Sequence, residues 1–127
     1  MTETCSMELA RFAAELEYAK LPSEVVENVR LRLLDTVGVC LASVGMEYAS
    51  AIADVVRSQG GRPEATLFCQ PDQLPATWAA LYNGALAHGN DFDDTHSVAL
   101  VHPSGVVIPT MLAVAERIGA TGREAMT

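Results

Sequence analysis

Aromatic side chains make up only 6% of this 127-residue chain, although half of its residues are apolar. A core drawn from it must therefore be built from Ala, Val, Leu and Ile on regular elements, a composition that favours helices over a β-sandwich. Basic residues are also few: 8 Lys and Arg stand against 16 acids, for a net charge of -8. A phosphate backbone is held by clustered cations, so this balance excludes nucleic acid as the expected partner. Acids such as Glu15, Glu17, Glu24 and Glu27 fall on outward-looking helix faces, where they serve solubility. Cys5, Cys40 and Cys69 are odd in number and widely spaced, without a CxxC pair, which suggests neither a disulfide framework nor a zinc ribbon. No run of roughly 18 apolar residues occurs, and Met1 to Leu9 has no basic segment leading into an apolar one. The expectation is a protein with no membrane partner, reduced thiols and a cytoplasmic setting.

The length suits one domain, and a chain of this size buries roughly two thirds of its unfolded surface. Apolar residues recur at helical spacing, most clearly at Val26, Val29, Leu33, Val37, Cys40 and Val44, after a Pro22 placed where a helix can begin. Leu33 to Val44 is apolar nearly all round, which predicts a central helix covered on more than one side. Shorter helices are predicted over about Met7 to Tyr18 and Tyr48 to Ser58, the latter closed by Gly60 and Gly61. Ala65 to Cys69 reads as one short strand with no partner of its own. A further helix opens at Pro75, turns Trp78, Leu81, Tyr82 and Ala85 inward, and ends near His88. The last long one carries Met111, Val114, Ala115 and Ile118 up to Gly119, with Pro109 in its first turn or kinking it. The expected class is all-α.

Thr121-Gly122-Arg123-Glu124 spells a capping box, in which Thr and Glu satisfy each other's free amides at a helix start. Three residues follow, too few for a stable turn given the cost of helix nucleation. On this ground residues 1–127 are expected to be the first part of a longer protein.

All three histidines, His88, His96 and His102, lie close together with Asp91, Asp93, Asp94 and Thr95. Histidine titrates near neutrality, and a neighbouring carboxylate fixes its tautomer and raises its basicity, as a general acid or base requires. The segment joins two helices, where irregular backbone can aim several side chains at one ligand.

Asn83-Gly84-Ala85-Leu86-Ala87-His88, Asp91-Phe92-Asp93-Asp94-Thr95-His96 and His102-Pro103-Ser104 closely resemble the MmgE/PrpD family, as does the earlier Leu34-Asp35-Thr36-Val37-Gly38. The resemblance runs in order along essentially the whole chain. It implies an all-α first domain, here its N-terminal part, with the rest of that domain and a second α+β domain lying outside residues 1–127. Members include 2-methylcitrate dehydratase, cis-aconitate decarboxylase and iminodisuccinate epimerase, which act on small polycarboxylates without a metal or organic cofactor. The implied function is thus that of a carbon-oxygen lyase of the methylcitrate dehydratase kind, with decarboxylation and epimerisation as close alternatives, and a homodimer for the full-length parent.

Carried over residue by residue, the resemblance makes His102 the proton donor or acceptor and Asp91 its catalytic partner, with Thr95, Ser104 and His96 on the substrate. The proline after His102 holds its backbone extended, and Ser104 and Gly105 open a helix whose free amides suit a substrate carboxylate. Plainer roles remain open at neighbouring positions: His88 as a hydrogen-bonded core histidine, Asp35 as a paired structural carboxylate, Asp93 and Asp94 as cap or turn residues, and His96 as solvent-facing. Two carboxylates about 4 Å apart repel by roughly 4 kcal/mol at an effective dielectric of 20, so the three aspartates are not expected to face the substrate together. No Lys or Arg lies between Arg62 and Arg117, so the cations that offset a polycarboxylate are expected from beyond Thr127. Two other classes compete: a metal-dependent hydrolase using the acidic motif and its histidines, and a non-catalytic remnant or assembly subunit.

Overall fold

A computed structural model describes residues 4–127. Helix α1 (Cys5–Glu15) is capped by Thr4, whose hydroxyl accepts from the Met7 amide, and it buries none of its residues. A 3-10 turn (Tyr18–Lys20) leads to α2 (Ser23–Ser43), which starts after Pro22. Helix α3 (Glu47–Gln59) stops at Gly60, whose φ of 61° suits glycine. Two short strands follow, β1 (Ala65–Thr66) and β2 (Gln73–Leu74), then α4 (Ala76–His88), α5 (Pro103–Ile118) and the single turn α6 (Gly122–Ala125). The architecture is mostly helical, as the apolar spacing predicts.

The core lies where α4 packs against α5, α2 and α3. It is built largely of small side chains, with Ala49, Ala53, Ala79, Ala87 and Ala113 around the larger Tyr82, Leu86, Leu67 and Val56. Small residues at the contacts let helix axes approach closely, so a chain poor in aromatics still packs densely. At one crossing a Cβ on Gly84 would lie 3.5 Å from the Gly105 carbonyl oxygen, which joins the middle of α4 to the start of α5.

Several expectations need correction. Helix α2 is covered on one face only: Thr36, Val39, Cys40 and Ser43 are buried, whereas Leu31, Leu34 and Leu41 are exposed. In α4 the inward face is turned from the one expected, with Leu81 outside and Asn83 inside. The reason is polar: Asn83 Oδ1 accepts from the Phe68 amide and its Nδ2 donates to the Thr66 carbonyl, both at 2.9 Å. The strand foreseen over Ala65 to Cys69 is shorter and does have a partner, since Ala65 pairs with Leu74 and Thr66 with Gln73 in an antiparallel ribbon. Helix α5 starts at Pro103, so of the two places expected for Pro109 it takes the one inside the helix and not the first turn. Residues 122–125 do form a turn, because the capping box closes fully, with the Thr121 amide and hydroxyl both on Glu124. These two hydrogen bonds, the backbone one first, hold the Glu124 carboxyl below its ordinary range.

Candidate functional site

The site is a loop, residues 89–102, slung between the end of α4 and the start of α5. Asn90 ties it to α2 by donating to Ser43 Oγ at 2.9 Å. Asp91 then takes a left-handed φ of 51°, uncommon outside glycine but tolerated by Asp, and reverses the chain. Farther on, the His96 amide donates to the Val101 carbonyl and the Leu100 amide to the His96 carbonyl, pinching off residues 96–101 as an exposed hairpin. Asp94 anchors the other side. Its carboxylate accepts from both the amide (3.0 Å) and the hydroxyl (2.9 Å) of Ser104, and it also receives the Arg32 guanidinium. Asp94 thus caps α5 from outside that helix, satisfying an amide that its first turn leaves free. His102, at φ −105° and ψ 83°, is the last residue before the helix and is held by that cap.

Inside this frame His88, Asp91, Asp93, Thr95 and His102 meet. Asp93 is the buried member, its side chain only 2% exposed, and it sits between two imidazoles. His88 Nδ1 lies 3.2 Å from both of its carboxylate oxygens, and His102 Nδ1 lies 3.4 Å from Oδ1. The two rings are 5.2 Å apart between centroids and tilted by 55°. Thr95 Oγ1 stands 3.4 Å from His102 Nδ1, while Asp91 Oδ1 lies 4.0 Å from Nε2 of the same ring. Since a carboxylate only accepts, Asp93 favours a proton on the Nδ1 that faces it and leaves the Nε2 of His102 as the working nitrogen. A space for Asp93 exists because position 105 is glycine: a Cβ there would lie 2.5 Å from Asp93 Oδ2.

The residues named from the sequence are therefore placed unevenly. Asp91, Thr95 and His102 come together. Ser104 is buried nearby, and its amide and hydroxyl both donate to Asp94, so neither donor is free for a substrate carboxylate. His96 stands apart from the His102 cluster, accepting from the Ala99 amide at 3.1 Å. It lines, with Thr95, Ser104, Arg32, Val107 and Met111, a cavity of about 640 Å³ beside α5.

Other positions depart from expectation. His88 is not a core histidine; it is exposed and paired with Asp93. Asp35 is exposed, and it forms no ion pair among the described residues. Asp93 and Asp94, read as cap or turn residues, divide the work: Asp94 is indeed a cap, whereas Asp93 is the buried partner of both imidazoles. A cation from upstream also reaches the loop, where it pairs with Asp94. Arg32, steadied by a 2.7 Å hydrogen bond to Asn28, lines the cavity. Only the packing of α2 against α4 and α5 brings Arg32 here, and nothing local in the sequence marks it.

The sequence model described as the MmgE/PrpD N-terminal domain matches residues 7–127. The chain is similar to cis-aconitate decarboxylase of Homo sapiens, with 34% identity over 104 residues, which is 81% of this chain and 21% of that protein. The Mus musculus protein of the same name is 32% identical over the same shares. Cis-aconitate decarboxylase of Aspergillus terreus is 26% identical over 118 residues, or 91% of this chain and 24% of that protein. The chain spans less than a quarter of the length of these relatives.

Proposed function

The chain belongs to the MmgE/PrpD family, and from that premise we propose that it supplies the proton-handling part of a lyase acting on small polycarboxylates, with His102 as the group that moves the proton. The observation that carries this reading is the buried Asp93 carboxylate against His102 Nδ1, with Nε2 directed away from it. Such a pair fixes the tautomer and orientation of the ring and leaves its far nitrogen to face the reacting carbon.

Among lyase reactions, we take decarboxylation as the first reading, because the relatives reported above are named for it; dehydration of a methylcitrate-like hydroxy acid is the alternative. In a decarboxylation the bond from carbon to one carboxyl group breaks, CO2 leaves, and the electron pair remains on carbon. Protonated His102 delivers its Nε2 proton to that carbon, and the neutral ring recovers a proton from solvent. In the dehydration, neutral His102 removes the proton next to a carboxylate, and the departing hydroxyl leaves as water after protonation by a second acid. The same ring serves both, starting from opposite protonation states.

Binding follows from charge. A substrate with several carboxylates needs cations and hydroxyls, and Thr95, His96 and Arg32, the last already paired with Asp94, stand on the wall of the cavity to supply them. Further cations, a homodimer and a second α+β domain belong to the parent protein in this reading. The test is an assay of the full-length parent on cis-aconitate and on 2-methylcitrate, following CO2 release and the gain or loss of C=C absorbance. CO2 from the first substrate supports decarboxylation, water loss from the second supports dehydration, and neither in a folded parent defeats the lyase reading.

A further inference from the structure

We propose that His88, Asp91, Asp93 and His102 also form a binding site for a late first-row divalent cation of the Zn2+ type, and that its occupancy silences the proton chemistry of His102. The second half rests on the function proposed above; the first does not.

One donor atom from each of the four residues lies within 4.8 Å of all the others. Zn2+ holds imidazole nitrogen and carboxylate oxygen at about 2.0–2.2 Å in a tetrahedral shell, so neighbouring donors sit roughly 3.4 Å apart. Two edges of the cluster already have that length: Asp93 Oδ1 lies 3.2 Å from His88 Nδ1 and 3.4 Å from His102 Nδ1. Only the outer donors have to draw in, and Asp91, 83% exposed, is the one with room to rotate. The fixed centre of the cluster is the buried Asp93, pointed between the two rings.

The donor set selects the ion. Imidazole nitrogens suit Zn2+, Ni2+ and Cu2+, whereas Mg2+ and Ca2+ prefer all-oxygen shells. Two carboxylates balance the charge of a divalent ion, relieving the repulsion between Asp91 and Asp93. Binding through Nδ1 obliges each neutral ring to carry its proton on Nε2. The lone pair that His102 would use as a base is then gone, and its Nε2 proton is held by a neutral, metal-bound ring, so uptake and turnover exclude each other.

The experiment is a calorimetric titration of the 127-residue chain with ZnCl2 in a non-chelating buffer, beside 15N-detected spectra of the imidazoles. One Zn2+ per chain is expected, with His88 and His102 resonances shifted, His96 unmoved and no uptake of Mg2+. Loss of even an outer partner weakens metal sites ~10–100-fold, so His88→Gln should weaken uptake at least ~10-fold, while His96→Gln leaves it unchanged. His88 is exposed, so its replacement does not threaten the fold, and Asp93→Asn, checked by circular dichroism, is the second variant. Absence of saturable uptake, or uptake indifferent to His88→Gln, overturns the site and leaves the role of His102 to its own kinetics. In the parent enzyme Zn2+ should inhibit and a chelator restore activity. Residue-dependent uptake that leaves turnover untouched overturns the coupling and, with it, the assignment of the proton to His102.

Discussion

Asp93 and Gly105 share one space: the carboxylate of the first occupies the volume that a side chain on the second would need, at 2.5 Å from the position of its missing Cβ. Helix α5 therefore carries glycine in its first turn, where another residue would push Asp93 away from both imidazoles. Gly105→Ala gains roughly 1 kcal/mol of helix propensity, but overpacking typically costs about 1–3 kcal/mol, and the net is expected to be destabilising. Gly38→Ala in α2, where a Cβ meets nothing within 4 Å, is the matched control and should stabilise by roughly 0.5–1 kcal/mol. Urea unfolding of the two variants side by side checks the opposite signs.

The cap on α5 is expected to matter more than the ion pair attached to it. Asp94→Ala removes both acceptors of Ser104 and should cost about 1–2 kcal/mol, in the range of lost N-caps. Arg32→Ala removes a partner whose side chain is 46% exposed, and screened pairs of this kind contribute about 0–1 kcal/mol. Thermal unfolding at low and high salt separates them: both variants lose the Arg32–Asp94 pair and its salt-screened part, and only Asp94→Ala should keep the cost of the uncapped Ser104 at high salt.

In the full-length parent, His102→Gln should lower kcat by roughly 10²- to 10⁴-fold, equivalent to about 3–5 kcal/mol of transition-state stabilisation, with little change in KM. Gln hydrogen-bonds but does not exchange a proton near neutral pH. Asp93→Asn is a positioning change, expected to lower kcat by at least ~10-fold while leaving KM nearly unmoved, because an amide no longer selects one ring tautomer. Rates and unfolding temperatures measured on the same preparation decide the matter. A His102 variant that is destabilised yet turns over normally would make that ring an anchor for the loop rather than a proton carrier.

Cys40 provides a pH-dependent prediction. Burial pushes its thiol up to about 11 from an ordinary 9.0, and the thiol donates to the Asn83 carbonyl at 3.5 Å. A folded value above the unfolded one means that the contribution to stability is complete below about pH 9 and declines as the pH rises toward 11. Cys40→Ser should remove that alkaline decline, at the separate cost of placing a hydroxyl in the core. Thiol titration of the native chain should label the exposed Cys5 and Cys69 promptly and Cys40 only on unfolding.

Helix starts and stops were readable from the sequence wherever a single residue dictates them. Pro22 and Pro75 precede their helices, Gly60 and Gly119 end theirs, and Thr121 with Glu124 caps a turn. The meeting of Asp91, Thr95 and His102 was anticipated from the motif, because all three lie on one short connection. Contacts between distant segments were not legible. Arg32 reaches Asp94 across 62 positions, and Asn83 turns inward for the Thr66 carbonyl and the Phe68 amide, 17 and 15 positions upstream. Burial was misjudged where a polar residue outcompeted an apolar one for the inner face, as Asn83 did Leu81, and where α2 has neighbours on one side only. The three aspartates in series are chemically identical in the sequence; backbone direction alone sends one to solvent, one under the histidines and one to the helix cap.

The amide of Asn83 meets one donor and one acceptor of the β1–β2 segment, as the peptide group of a third strand would. A two-residue ribbon is too short to persist by itself, so this side chain makes it an outgrowth of α4 instead of a sheet in its own right. The turn between the strands, residues 67–72, is held in turn by the fully buried Leu67 and by Arg57 of α3, which donates to Gln70 and Asp72. Its exposed tip at Cys69 and Pro71, rather than the loop after His88, is therefore the place for a spectroscopic label.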